Sequence, residues 1–142
     1  MNWPVLMACI LLLVGCGAQP TTGPVEPTWD RDSCEHCQMA ISDRHFATQI
    51  RSASDGLVRH FDDPGCAILW RGDTGSPEDE IWVRDAKGET WVDARSTRFG
   101  TGYHTPMGYG YGATDDEGGL DWTTVETHVQ ERERERREHT AH

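Results

Sequence analysis

The sequence predicts an α+β domain. Short stretches alternate polar and apolar residues with the period of strands. One capped helix signal lies among them, and a second helical spacing appears near the C-terminus.

The first strand is read in "FATQIRSA", where Phe46, Thr48 and Ile50 share one face. Asp55-Gly56 is a turn signal, and "LVRHF" (57–61) follows as the second arm of an antiparallel hairpin. Asp63 before Pro64 has the form of an N-cap with proline at the first helical position, where its missing N–H costs nothing. Gly72 would close that helix. "EIWVRDA" (80–86) alternates again, and Lys87-Gly88 turns the chain into one or two further strands within "ETWVDARSTRF". Seven glycines between 100 and 119 indicate an irregular loop. In "LDWTTVETHVQ", Trp122, Val125 and Val129 fall at helical spacing.

The two ends of the chain read differently. The apolar opening resembles a secretory signal and is too short for a comfortable membrane span. It ends in Leu13-Val14-Gly15-Cys16, which resembles a bacterial lipobox, so residues 1–15 are expected to be removed and Cys16 to carry acyl chains. The Pro-, Thr- and Gly-rich segment 16–29 has little to bury and reads as a flexible tether. The domain proper is placed at 30–129, and 130–142, with "ERERERREH", as a charged, solvated tail, either a helix extension or a frayed end.

A net charge of −11, with one lysine among the 13 basic residues, leaves no basic patch and excludes nucleic acid as a partner. No nucleophile–base pair or carboxylate dyad stands out, so the chain does not read as an enzyme. Asp62 and Asp63 are taken as a polar turn and a helix cap.

The cysteines carry the chemistry. Beyond Cys16 three remain, Cys34, Cys37 and Cys66, an odd number that structural disulfides cannot use up. "CEHCQM" puts Cys34, Cys37 and Met39 within six positions. A turn would bring the two thiols together, and an extended backbone would put Cys37 and Met39 on one side. Thiolate and thioether select Cu(I), and Met39 counts against zinc, which also wants four protein ligands. A thiol–disulfide centre at Cys34 and Cys37, or a structural disulfide, stays open on these residues alone. Met107 in "YHTPMGYG" sits in a loop, a poor place to bury a methionine and a good one to present it. Cys66, inside the expected helix, reads as a small buried hydrophobe.

"DSCEHCQMAISDRHFATQI", "HFDDPGCAILW", "IWVRD", "WVDAR" and "TPMGYGYGA", in this order and spacing, are together similar to the NosL family, bacterial lipoproteins associated with maturation of nitrous oxide reductase. The resemblance covers roughly residues 30 to 115. It implies two related ββαβ units, here with a C-terminal helix. It also implies a Cu(I) chaperone, anchored by Cys16 to the periplasmic face of a membrane, that delivers copper to nitrous oxide reductase or another periplasmic copper enzyme. The family pattern gives copper to Cys37, Met39 and Met107, and less firmly to Cys34. A histidine (His36, His45, His60 or His104) would complete the shell, with His60 and His104 favoured by position. The competing readings are a thiol–disulfide redox protein and a zinc-holding or structural surface lipoprotein.

Overall fold

A computed structural model describes residue 18 and residues 20–141. The expected signal peptide and Cys16 lie outside the described residues.

Six strands and two helices follow in the order β1 (Thr48–Arg51), β2 (Val58–Phe61), α1 (Pro64–Arg71), β3 (Glu80–Arg84), β4 (Trp91–Asp93), β5 (Arg98–Gly100), β6 (Gly112–Thr114) and α2 (Trp122–Thr140). The first four strands form one antiparallel sheet in the order β2-β1-β3-β4, and β5 pairs with β6 as a separate antiparallel hairpin. The α+β class read from the sequence is the class observed.

Residues directly opposite each other in the sheet share a face. One face carries Phe61, Thr48 and Val83 in a row, with Ile50 opposite Ile81. All five are buried, and α1 packs on β1 and β2, with the Trp70 ring 5.5 Å from that of Phe61. Asp63 caps α1 as expected, its carboxylate accepting the Gly65 amide. At the other end Gly72, at φ +53°, donates its N–H to the Ile68 carbonyl. Val125, Val129 and Trp122 bury the near side of α2, and Trp122 lies against Phe99 of the hairpin. Arg71 of α1 and Glu126 of α2 pair at 2.8 Å across the two helices.

Four expectations need correction. Residues 16–29 are not a free tether along their whole length, because residues 23–29 lie as a strap on the second face of the sheet. The Gly23 amide donates to Glu80 and the Val25 amide to the Gln49 side chain, each at 2.8 Å. Glu26 accepts from the Trp91 indole at 2.8 Å and from Arg84 at 3.1 Å. Arg44 and Arg84 flank the Trp29 ring, and Pro27 is buried. With both faces covered, every residue of β1 is buried rather than every second one.

The boundary at 129–130 is also absent. α2 runs through it to Thr140, so that of the two forms expected for 130–142 the solvated helix extension is the one observed, and Glu133 anchors Arg136 and Arg137 one turn on, at 2.6 and 3.0 Å. The glycine-rich stretch 100–119 is not loop throughout, since Gly112–Thr114 forms β6, and Ala86 donates its amide to Ala113 at 2.8 Å. Finally, a complete ββαβ order occurs once, as β1-β2-α1-β3. β4 joins that same sheet, and no strand follows α2 among the described residues.

Candidate metal centre

The "CEHCQM" segment turns back on itself. Gln38 donates its amide to the Cys34 carbonyl at 2.9 Å, and Cys34 donates to the Met39 carbonyl at 2.8 Å. Gln38 adopts φ +65°, a left-handed conformation that a non-glycine residue takes up only at some cost. The turn lays the Cys37 amide 3.5 Å from the Cys34 sulfur, so the two thiols converge. The Glu35 amide donates to the His60 carbonyl at 3.0 Å, which fixes the turn to β2 just before Asp62.

Asp62 and Cys66 complete the group. Cys66 is the third residue of α1 and faces back toward the turn. The donor atoms of Cys34, Cys37, Asp62 and Cys66 all lie within 4.8 Å of one another, with Cys37 half-buried and the other three buried. All three thiols are free.

Their protons are unequally shared. Cys34 is held down at about 6, first by the hydrogen bond it accepts from the Cys66 thiol, against burial, and then by backbone amides of Cys37, Asp62 and His36. Its sulfur is the one of the three on which the surroundings favour a thiolate. The Cys66 thiol is pushed up, chiefly because it donates to Cys34 and because it is buried. Cys37 is raised to about 12, mainly by burial and then by the negative charge of Cys34 and Asp62 beside it. Its thiol donates toward both Asp62 oxygens at 3.4 Å. A metal entering here meets one ready thiolate and must displace protons from the other two thiols.

The sequence-expected ligands divide into three groups. Cys34 and Cys37 are in the cluster. Met39 and Met107 are not buried, at 53 % and 40 % exposed, and with Leu57 they are the exposed large hydrophobic residues among the described residues. Met107 is nonetheless tied to the site's foundations, because its amide donates to Asp63, the neighbour of Asp62, at 3.1 Å. The histidines stand apart. His60 Nε2 lies 3.0 Å from the Val25 carbonyl and holds the strap, His45 binds Asp43, and His36 and His104 are exposed.

Asp62 and Cys66 escaped the sequence reading. Cys66 is buried as expected, yet its sulfur belongs to the donor set rather than to the apolar core alone. Two signals pointed to it: the odd number of thiols, and its place in the first turn of a helix, where thiolates are favoured.

Comparison with known proteins gives no match to any family model, curated protein or solved structure. The donor set itself must carry the functional reading.

The unequal thiols set a pH dependence for the reduced, metal-free protein. A group depressed in the fold, such as Cys34 at about 6 against an ordinary 9.0, contributes stability that is full above 9 and lost as pH falls through 6. A group raised in the fold, such as Cys37 at about 12, contributes stability that is present below 9 and lost as pH rises toward 12. Urea-unfolding midpoints are thus expected to rise from pH 6 to 9 and fall beyond it. Cys34→Ser should flatten the lower limb and keep the upper one.

Proposed function

We propose that this chain is a membrane-anchored, periplasmic Cu(I)-binding metallochaperone. By its resemblance to the NosL family, its client is nitrous oxide reductase or another periplasmic copper enzyme. The observation that carries the reading is the convergence of three free thiols, with two exposed methionines on the segments that adjoin them. Thiolate and thioether sulfur together favour Cu(I) over harder ions.

Within this scheme Cys34 supplies the charge and Cys37, at the half-buried rim, supplies the route in and out. Met39 and Met107 offer neutral sulfur that an incoming client ligand can displace. No bond-making chemistry is required of the chain. With an acyl anchor on Cys16, only residues 17–22 separate the lipid from the strap, so the domain would ride within about 25 Å of the membrane surface.

Zinc is the second reading, and Asp62 is what favours it. Three cysteines and a carboxylate make the four protein ligands a closed zinc site asks for. A thiol–disulfide exchange function fits less well, because the one thiolate, Cys34, is fully buried and out of reach of a protein disulfide.

Two variants separate copper from zinc. In the chaperone, Asp62→Asn should leave Cu(I) affinity within about tenfold of the wild type, whereas Met39→Leu with Met107→Leu should weaken it by about tenfold or more, because two soft ligands are lost. In a zinc protein the pattern reverses, with Asp62→Asn costly and the methionines silent. Competition against a Cu(I) chelator and against a zinc chelator, on reduced protein, reads both. Zinc retained more tightly than copper, with no effect of the two leucines, would remove the chaperone.

A further inference from the structure

Asp63 does more than cap a helix. One of its oxygens, Oδ1, accepts the Gly65 amide at 2.8 Å, and that bond is all that capping requires. The other, Oδ2, accepts the Met107 amide at 3.1 Å, from a residue 44 positions away. Asparagine or serine would cap α1 as well, and without the cost of burying a carboxylate that is fully removed from solvent. What aspartate adds is the second acceptor, and that acceptor serves the Met107 loop.

A second contact fixes the same loop on the same helical turn. A Cβ built on Gly65 would fall 2.2 Å from the Tyr109 ring, so Tyr109 seats directly on the backbone of α1's first turn. Between the two contact points Gly108 takes φ +73°, which turns the chain from the amide contact to the ring contact. Gly108 also closes a tight turn by donating to the Thr105 carbonyl at 3.0 Å, which leaves the Met107 amide free for Asp63. The backbone of Met107 is thus fixed while its side chain remains 40 % exposed. A methionine serving as a core plug would show the opposite pattern.

We infer that Asp63 is a positioning residue for the Met107 thioether: through Oδ2, with Gly65 as the seat for Tyr109, it holds the distant loop in register with the turn of α1 that carries Cys66. The inference rests on the reading of Met107 as a copper ligand. One buried carboxylate then references both arms of the site, the thiols and the loop, to a single helix start.

The test uses the full reduced chain labelled with ¹³C at its methionine methyl groups and titrated with Cu(I) without oxygen. In the wild type the Met107 methyl resonance should shift and saturate at one Cu(I) per chain. In Asp63→Asn, which keeps the cap but turns an N–H donor toward the Met107 amide, and in Asp63→Ser, which keeps the cap but cannot reach the loop, most of that shift should vanish. Thiol-based uptake of one Cu(I) and helix content should persist in both. A full wild-type shift in Asp63→Asn overturns the positioning role alone. A wild-type Met107 methyl that ignores Cu(I) overturns the inference together with the ligand reading beneath it. Should both variants fail to fold, the wild type still decides. Its Met107 amide must be protected from hydrogen exchange, and exchange at an open-loop rate overturns the proposal.

Discussion

Serine in place of Cys34 is expected to weaken Cu(I) binding at least as severely as serine in place of Cys37, by more than the roughly 10–100-fold typical of changes just outside a metal's ligand shell. Cys34 is the thiolate of the cluster, with its charge stabilised by the Cys66 thiol and by three backbone amides. A serine hydroxyl there is neutral and hard, so the site loses both its anion and a soft ligand. Cys37→Ser removes a thiol that must first surrender its proton, since burial and the adjacent Cys34 and Asp62 hold it at about 12. Its loss should be large and should depend more steeply on pH below 9 than that of Cys34→Ser. Chelator competition across pH 6 to 9 on both variants reads the difference. Wild-type affinity in Cys34→Ser would confine copper to Cys37 and the thioethers, the narrower set that the family resemblance implies.

That contrast shows which parts of the site the sequence could disclose. Cys34, Cys37 and Met39 lie within six residues, and a single turn decides whether they meet. The Asp63 cap, Pro64 and Gly72 are equally local, so α1 was legible almost to the residue. Asp62 and Cys66 join the donor set only because the 34–39 turn docks on β2 through Glu35 and His60, a contact that no spacing announces. The strap was hidden for a different reason. Its bonds run to the polar groups of Gln49, Glu80, His60 and Arg84, which leave no hydrophobic period in residues 23–29, and Pro-rich composition alone reads as disorder. Likewise β6 is three small residues, Gly112–Thr114, whose strand character comes from pairing with β5 and not from side chains of their own.

Core and site can be linked by one substitution. Phe61 ends β2, is fully buried against Trp70, and directly precedes Asp62. Phe61→Ala should cost about 3–5 kcal/mol, the range for emptying a buried aromatic site. That is a large part of the 5–15 kcal/mol or so available to a small domain. The cavity opens at the end of the strand that leads into Asp62, so the metal-free variant should unfold at markedly lower urea concentration. A metal bound only by the folded chain must return part of the loss, about 2.7 kcal/mol when free metal stands at about a hundred times its Kd. The rescue should be seen with Cu(I) in reduced protein, and it should disappear in Phe61→Ala combined with Cys34→Ser, because the second change removes the thiolate without touching the cavity. Equal rescue with and without Cys34 would mean that copper gains its stabilising contacts elsewhere, and the three-thiol centre would lose its claim to the ion.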